Sequence, residues 1–424
     1  LVTSCEFDGN DLTDRTHNGW GGAAIYSNQG TVTITDSNIT NNLKNIVHRG
    51  GTGAYTGDLS SAAVTSQSGS LTVTNSYLGS NSGSYGGAIL AQGGTLLVSG
   101  TTFEDNFAFN GGAIDIANAD YTITNSKFIG NDAKGTGSGQ TNYAHGGAIA
   151  AQDANNQGLI SGCDFEGNTA AIGGAISTTN TVVTDSTFTN NNADAANSET
   201  YNGKTNNRGG FGGAVYNDGT ITIDDSTFTD NIGRGRGLDL KNAEISDSSF
   251  SNTIINVNNR GTVEVSNNQY DNDGKDISST SGCTVMVNIE DGDVPYVTSG
   301  TIIYNGDMTF QDLQDIIDAG NTAITLGGNV VKSADEEITF ADGLTINRSV
   351  TIYGNEKTIT ASTGKIFNVA EGKTLSLNGN TLVGSGETAI INHGTVSLGL
   401  ASPNTFTNCG EAPIDNQGRT SQTG

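Results

Sequence analysis

The side chains best suited to chemistry in this sequence are carboxylates in strand-like segments, where they could act on glycosidic bonds. Asp115 in GGAIDI and Asp239 in RGLDL occupy the same position of a repeated pattern. Glycoside hydrolysis uses two carboxyl groups about 5 to 9.5 Å apart. Four repeats separate these two residues, which places them about 19 Å apart at a strand spacing of about 4.8 Å. The spacing argues against a hydrolase built from this pair.

Other catalytic arrangements have less support. A lyase would need a basic residue beside clustered acids, and Arg234 and Arg236 beside Asp239 are the nearest candidate. The histidines are scattered without carboxylates at matching repeat positions: His17, His48, His145 and His393. No phosphate loop, Ser-His-Asp arrangement or zinc motif occurs. We expect no catalytic residues, and a polysaccharide lyase or hydrolase remains the alternative.

Aromatic side chains next to paired glycines are candidates for binding sugars. The residues directly before the Gly-Gly pairs are Trp20, Tyr85, Asn110, His145, Ile172 and Phe211. They form either a track that stacks on sugar rings or a row of wedges that holds the loop bases. Two long links add Tyr143 and Tyr201. The candidate binding residues are Trp20, Tyr85, Tyr143, His145, Tyr201 and Phe211.

One segment has the oxygen ligands of a calcium loop. Asp271, Asp273 and Asp276 alternate around a glycine in DNDGKD. The distal bidentate Glu of a calcium loop is absent at the usual spacing, and a solvated turn is the simpler interpretation. No cofactor is indicated apart from calcium as a candidate here.

These residues lie on a sequence pattern that recurs ten times. Its centre is an aromatic or aliphatic slot with a small residue two positions earlier and, in eight copies, Asn three positions later. The slots are Phe7, Ile39, Leu78, Phe103, Phe128, Phe165, Phe188, Phe228, Phe250 and Tyr270. The asparagines are Asn10, Asn42, Asn81, Asn106, Asn131, Asn168, Asn191 and Asn231.

The repeat predicts a parallel β-helix. Its length varies while its key slots stay fixed, which is typical of a solenoid whose units match only their neighbours. Apolar residues alternate with period two within each unit, as in Ile221 and Ile223, which indicates strands. We expect one unit per coil, an internal stack of Phe, Ile and Leu side chains, and a structural ladder of buried Asn amides.

The motifs GGAI and FxxN (FEDN, FIGN, FEGN, FTNN, FTDN) resemble the repeats of the polymorphic outer-membrane protein family of β-helical surface adhesins. The segments TFQDLQDIIDAG and DGLTINRSVTIYGNEKTIT are similar to β-helix modules in adhesin-like proteins of methanogenic archaea. The resemblance implies a right-handed parallel β-helix and a role at the cell surface. Neither family's membrane anchor is visible in the sequence.

The pattern divides the chain into three parts. We expect a β-helix of about ten coils over 1–270, an irregular β linker, small sheet or further irregular coils over 271–307, and a second β-helix over 308–424. An amphipathic helix over 309–318 would cap the second β-helix. The chain begins and ends within coils, so we expect it to be a piece of a longer protein.

The composition restricts the partners. A formal charge of −26 would repel nucleic acid and anionic membrane surfaces. No apolar run long enough to span a membrane occurs. We expect a segment of an extracellular, cell-surface, adhesin-like protein that presents loops to cell-surface glycans, to proteins or to neighbouring copies. A self-assembling sheath or fibre component is a further alternative. The long links 132–145 and 192–211 should leave one corner of the stack and carry binding groups.

Overall fold

The computed structural model describes residues 1–10, 21–42, 61–134, 144–153, 155–193, 210–234, 237–289 and 292–423. Strands of successive coils pair in parallel and in register, for example Phe128 with Phe103 on one side and with Phe165 on the other. The structure therefore confirms the predicted parallel β-helix. The chain folds into two compact units, Leu1–Asn258 with Asp271–Asp273, and Asn259–Tyr270 with Gly274–Gly424.

The described residues of the first unit form three sheets, whose strands we number along the chain. The long sheet contains β1 (Val2–Thr3), β3 (Gly21–Asn28), β4 (Thr31–Thr35), β6 (Ser61–Thr74), β8 (Ile89–Ser99), β11 (Ile114–Thr124), β14 (Ile149–Ala151), β15 (Gly158–Ser161), β18 (Ile176–Thr184), β21 (Val215–Asp224), β23 (Leu238–Ser246) and β25 (Ile255–Val257). The phenylalanine sheet contains β2 (Glu6–Asp8), β5 (Asn38–Thr40), β7 (Tyr77–Gly79), β9 (Thr102–Glu104), β12 (Lys127–Ile129), β16 (Asp164–Glu166), β19 (Thr187–Thr189), β22 (Thr227–Thr229) and β24 (Ser249–Ser251). The short sheet contains β10 (Phe107–Ala108), β13 (Asp132–Ala133), β17 (Thr169–Ala170) and β20 (Asn192–Ala193).

The core of the first unit is a column of stacked rings. Phe103, Phe128, Phe165, Phe188, Phe228 and Phe250 are buried and stack in this order. Neighbouring ring centroids are 4.6 to 5.1 Å apart, and the ring planes lie within 9° of parallel. This spacing is that of paired strands, so each coil from Phe103 to Phe250 adds one ring to the core.

The asparagines three positions after the ring form a continuous ladder. Asn106 Nδ2 donates to Asn131 Oδ1 over 3.0 Å and to the Leu78 carbonyl over 2.9 Å. The Asn106 backbone N–H donates to the same Asn131 oxygen over 3.1 Å. The same contacts join consecutive amides from Asn42 to Asn231, where Thr253 Oγ1 accepts the last backbone N–H. The ladder thus satisfies backbone groups at a buried corner of every coil.

A second ladder uses the small residue before the ring. The Ser186 backbone N–H donates to Ser226 Oγ over 3.2 Å, and Ser226 Oγ donates to the Asp224 carbonyl over 2.9 Å. Buried Cys163 takes one rung of this ladder as a free thiol. The residue just before the rung has a left-handed backbone, as at Asp185 with φ 50°. This conformation explains why Asn, Asp or Gly recurs at that position.

The second unit continues the coil pattern through different sequences. Its longest sheet contains β26 (Thr262–Ser266), β29 (Thr284–Asn288), β30 (Thr301–Asn305), β31 (Ala323–Leu326), β34 (Val350–Tyr353), β37 (Thr374–Asn378), β40 (Thr395–Gly399) and β43 (Arg419–Thr423). Two shorter sheets contain β32 (Val330–Val331), β35 (Thr358–Thr360), β38 (Thr381–Val383) and β41 (Thr405–Thr407), and β33 (Leu344–Ile346), β36 (Phe367–Val369), β39 (Ile390–Asn392) and β42 (Ile414–Asn416). The remaining short strands are β27 (Gln269–Asp271) and β28 (Ile277–Ser278), and a 3-10 helix covers Ala334–Glu336.

The predicted helix is present as α1 (Phe310–Asp318). Thr309 and Asp312 form the expected capping box, and Glu336 accepts the N–H groups of Phe310 and Gln311. β30 before α1 pairs with β31 after it, so the helix interrupts a coil stack that is already under way. The strands from Ile277 to Asn305 therefore belong with the second unit as irregular coils, and this unit begins near residue 259 instead of 308. Their plain alternation, without GGAI or FxxN, hid this continuity in the sequence. No helix of the described residues is long and apolar enough to cross a membrane.

Candidate functional site: a polar groove on the first unit

Two parallel columns of residues border a groove on the first unit. The residues before the Gly-Gly pairs are neighbours in successive coils. Tyr85 forms a β-bridge with Asn110, and Ile172 forms β-bridges with His145 and Phe211. The Gly111 N–H donates to the His145 carbonyl and joins the two groups into one column. The other column lies on the long sheet, where strand register aligns Leu90, Asp115, Ala150, Ser177, Tyr216 and Asp239.

The groove between them has a volume of about 330 Å³. It is lined by Tyr85, Leu90, Gln92, Asn110, Asp115, Ile116, Ala117, Ala150, Gln152 and Asp153. One aromatic residue, three side-chain amides and two carboxyl groups thus line one cleft together with the apolar residues Leu90, Ile116, Ala117 and Ala150. Concave sites with a few polar groups over an apolar surface are typical of small-molecule and cofactor sites.

Asp115 is the most perturbed carboxyl group of the groove. Its side chain is buried, and Asn110 Nδ2 donates to its Oδ2 over 2.8 Å. Burial disfavours the charged form and raises the pKa of Asp115 to about 7, and the negative charge of Asp153 acts in the same direction. Asp115 therefore carries a proton over much of the neutral and acidic pH range.

Asp153 and two glutamines complete the polar wall. Asp153 Oδ2 accepts the backbone N–H of Asn118 over 2.8 Å. Gln92 Oε1 is buried and has no hydrogen-bond partner among the described residues. Buried polar atoms are nearly always paired, so this oxygen is an acceptor that a ligand hydroxyl or a water molecule can satisfy.

His145 is a neutral hydrogen-bonding group beside the groove. Its Nδ1 lies 3.1 Å from Ser177 Oγ and also contacts Gln152 Nε2, which donates to Ser177 Oγ over 2.7 Å. Burial lowers the pKa of His145 to about 4. His145 is therefore uncharged at neutral pH and holds the Gln152 amide in place.

The predicted aromatic track divides into exposed and packed members. Tyr85 is 36% exposed and lines the groove. Ile172 is buried with Ala133, Ala144, Ala170 and Ala171, and Phe211 packs against this cluster. The track interpretation therefore suits Tyr85, and the wedge interpretation suits Ile172 and Phe211. Trp20, Tyr143 and Tyr201 lie outside the described residues.

Asp239 lies where the repeat placed it, four strand steps from Asp115 in the same column. Its carboxylate accepts hydrogen bonds from Asn256 Nδ2 and Asn258 Nδ2. The separation of about 19 Å stands, and these two carboxylates do not form a pair. Of the neighbouring arginines, Arg236 lies outside the described residues.

Sequence reasoning missed Asp153 as the groove partner of Asp115. A signal was present, because GGAILAQ and GGAIAAQ place Gln92 and Gln152 at one slot of the repeat, and Asp153 follows directly. The insertion after Asp153 breaks the repeat at this point and hid the correspondence.

Two of the three candidate calcium ligands, Asp271 and Asp276, have hydrogen-bond partners within the chain. Asp276 Oδ2 accepts the Tyr296 backbone N–H over 2.8 Å, and Asp271 Oδ2 accepts from Ser251 Oγ over 3.3 Å. Within the part of the chain that the structure describes, no group of three or more His, Cys, Asp or Glu side chains could hold a metal ion. Asp271 and Asp276 serve as local hydrogen-bond acceptors, and calcium binding by this turn stays a prediction.

The predicted loop bases lie at one corner of the stack. Strand register aligns Asp132 with Thr169 and Thr169 with Asn192. The two long links therefore leave the coils two strand steps apart, about 10 Å along the axis, as expected. Most of each link lies outside the described residues.

No protein-family model matches the chain, and no curated protein matches it. Among solved structures, the chain is similar to a mutant of a PL6 family alginate lyase. The sequence identity is 10% and the TM-score 0.23, with 98% of this chain and 77% of that chain covered. A likeness this weak carries no argument about function.

Proposed function

We propose that the first unit binds glycan chains in the groove and that the β-helix holds this groove rigidly at a cell surface. The observation that carries the proposal is the groove itself. Tyr85 offers a partly exposed aromatic side chain, and the amides of Gln92, Asn110 and Gln152 offer donors and acceptors that match sugar hydroxyl groups. Aromatic side chains combine an apolar face with a polar edge, which suits the two faces of a sugar ring.

Charge favours neutral glycans as the ligand class. Apart from Tyr85, the ionisable residues that line the groove are Asp115 and Asp153, and both carry carboxyl groups. The whole chain has a formal charge of −26. An anionic polysaccharide would be repelled by the negative charge of Asp153 and by that of the chain as a whole, and the repulsion would be strongest at low ionic strength.

The surface location rests on the resemblance of the GGAI and FxxN repeats to surface adhesins. A stack of coils is a suitable spacer because each coil extends it by about 4.8 Å without a change in the core. The rigid stack would hold the groove away from the surface. Contact with proteins or neighbouring copies through the long links is a separate part of this adhesin-like role.

Affinity electrophoresis tests the proposal. The protein is run in native gels that contain dextran, galactomannan, xyloglucan or glucomannan, and in gels that contain the anionic chains pectate or hyaluronan. We expect retardation by at least one neutral polysaccharide and none by the anionic ones at low salt. Free migration in every neutral gel would refute neutral-glycan binding.

A further inference from the structure

We propose that the groove also hydrolyses the glycosidic bond of a bound neutral glycan, with Asp115 as the proton donor and Asp153 as the base. This inference rests on the glycan-binding function proposed above. It assigns a reaction to Asp115 and Asp153, two carboxyl groups that line the same groove. The separation of about 19 Å argued only against the other pair, Asp115 with Asp239.

Asp115 and Asp153 line the same groove at a backbone spacing close to that of inverting hydrolases. Asp153 Oδ2 is held 2.8 Å from the backbone nitrogen of Asn118, and Asn118 follows Asp115 by three residues on β11. A strand advances about 3.3 Å per residue, so three residues separate the two anchoring points by roughly 10 Å along the strand, and the side-chain directions set the final spacing of the carboxyl groups. Hydrolases that invert the anomeric centre hold their carboxyl groups about 6.5 to 9.5 Å apart, with a water molecule between them.

The two environments differ as an acid and a base require. Asp115 is buried, its Oδ2 accepts from Asn110, and its other oxygen is left to carry the proton. The pKa of Asp115 is raised to about 7, so the group is protonated below neutral pH. Asp153 is partly exposed, and its Oδ2 accepts a backbone N–H, the contact that stabilises a carboxylate. Two carboxyl groups with contrasting surroundings mark the acid and base roles in glycoside hydrolysis.

The reaction balances without any further reagent. Asp115 gives its proton to the glycosidic oxygen as the bond between that oxygen and the anomeric carbon breaks. A water molecule between sugar and Asp153 attacks the anomeric carbon and passes one proton to the Asp153 carboxylate. The products are two shorter glycans, one with a new reducing end, and proton exchange with solvent restores both carboxyl groups.

The test uses the same chain and any neutral polysaccharide that retards it in the gels. Reducing ends are counted after incubation in water enriched in oxygen-18. We expect label in the new reducing ends and an inverted anomeric configuration by NMR. Asp115→Asn and Asp153→Asn should each lower the rate by about 10² to 10⁴ while they retain binding. Asp239→Asn, at the equivalent slot four coils away, is the matched control and should keep the full rate.

The outcomes separate this inference from the proposed function. Retardation without new reducing ends would overturn hydrolysis and leave glycan binding in place. A product with a new double bond would show elimination and would also overturn it. Full activity in Asp115→Asn and Asp153→Asn variants that melt like the wild type would refute the assigned residues. Failure to bind any neutral chain would refute the proposed function itself.

Discussion

Asp115 and His145 border one groove and should respond to pH in opposite directions. The folded state raises the pKa of Asp115 from 3.8 to about 7, so it favours the protonated acid. The folded state lowers the pKa of His145 from 6.5 to about 4, so it favours the neutral imidazole. For both residues, burial in the folded chain destabilises the charged form.

For Asp115, the unfolded state releases its proton first as pH rises. The stabilisation that Asp115 contributes to the folded state is therefore complete below about pH 4 and decreases as the pH rises to about 7. Above pH 7 it no longer changes, and the total decrease in the free energy of unfolding is up to about 4 kcal/mol. Urea unfolding of wild type and Asp115→Asn from pH 4 to 8 measures it. We expect the wild type to lose stability relative to the variant over this interval. A constant difference would contradict the raised pKa.

For His145, the sign is reversed because the unfolded state binds the proton first as pH falls. Its contribution is full above about pH 6.5 and is lost towards about pH 4. The difference in unfolding free energy between wild type and His145→Gln should therefore increase from pH 4 to 6.5. The same urea series checks it, and a difference that decreases over this range would refute the assignment.

The asparagine ladder should contribute stability at every rung. Asn106→Ala and Asn168→Ala leave buried backbone N–H and C=O groups unpaired, which should lower the free energy of unfolding by about 1 to 3 kcal/mol each. Asn38→Ala, an exposed residue on β5, is the control and should change it little. Thermal melts of the three variants measure these differences in stability. Wild-type melting of both ladder variants would mean that the ladder is not structural.

At the scale of elements, Gly-Gly pairs set the sharp turn before five strands of the long sheet, β8, β11, β14, β18 and β21. Gly111 has φ 59°, and a Cβ there would lie 2.2 Å from the Ile114 carbonyl oxygen. Gly167 has a similar φ of 64°, and a Cβ there would meet nothing within 4 Å. The two glycines therefore separate the effect of backbone conformation from that of close contact.

Substitution of each glycine by alanine should reveal this difference. Gly167→Ala should cost about 1 to 2 kcal/mol, the strain of a left-handed backbone. Gly111→Ala should cost clearly more, because the methyl group would overlap backbone atoms that cannot move alone. Equilibrium unfolding of both variants measures the costs. Equal losses would show that conformation alone selects glycine at the pair.

The elements also show where sequence reasoning succeeded. Strands, ring stack and Asn ladder were predictable because identical contacts recur at each coil and leave identical residues. The groove was not, because Tyr85, Asp115 and Asp153 come from three different coils and none of them recurs at its slot in an adjacent coil. The start of the second unit was missed for a related reason, since plain apolar alternation satisfies a coil without any signature residue.

At the scale of the whole molecule, stability should be nearly a sum over coils. Residues 166–188 make up one coil of 23 residues, which is the offset that pairs Phe165 with Phe188 and Asn168 with Asn191. Removal of these 23 residues would stack Phe165 directly on Phe228. Because each coil contacts only its neighbours, the shortened chain should still fold.

Circular dichroism and melting of this deletion test additivity. We expect an unchanged β-sheet spectrum per residue and a modest loss of stability. Deletion of residues 166–177, which is about half a coil, is the control and should abolish cooperative unfolding because every later strand loses its register. Equal behaviour of the two deletions would contradict a coil-by-coil fold.

The central claim is that a glycan binds in the groove of the first unit, and calorimetric titration of Tyr85→Ala tests it most directly. The control is Tyr353→Ala, which removes an exposed tyrosine of β34 in the second unit. With a neutral polysaccharide that retards the wild type, we predict that loss of the Tyr85 ring weakens binding about tenfold, equal to about 1.4 kcal/mol, and that the control binds normally. Wild-type affinity of a folded Tyr85→Ala variant would place the glycan elsewhere and contradict the account.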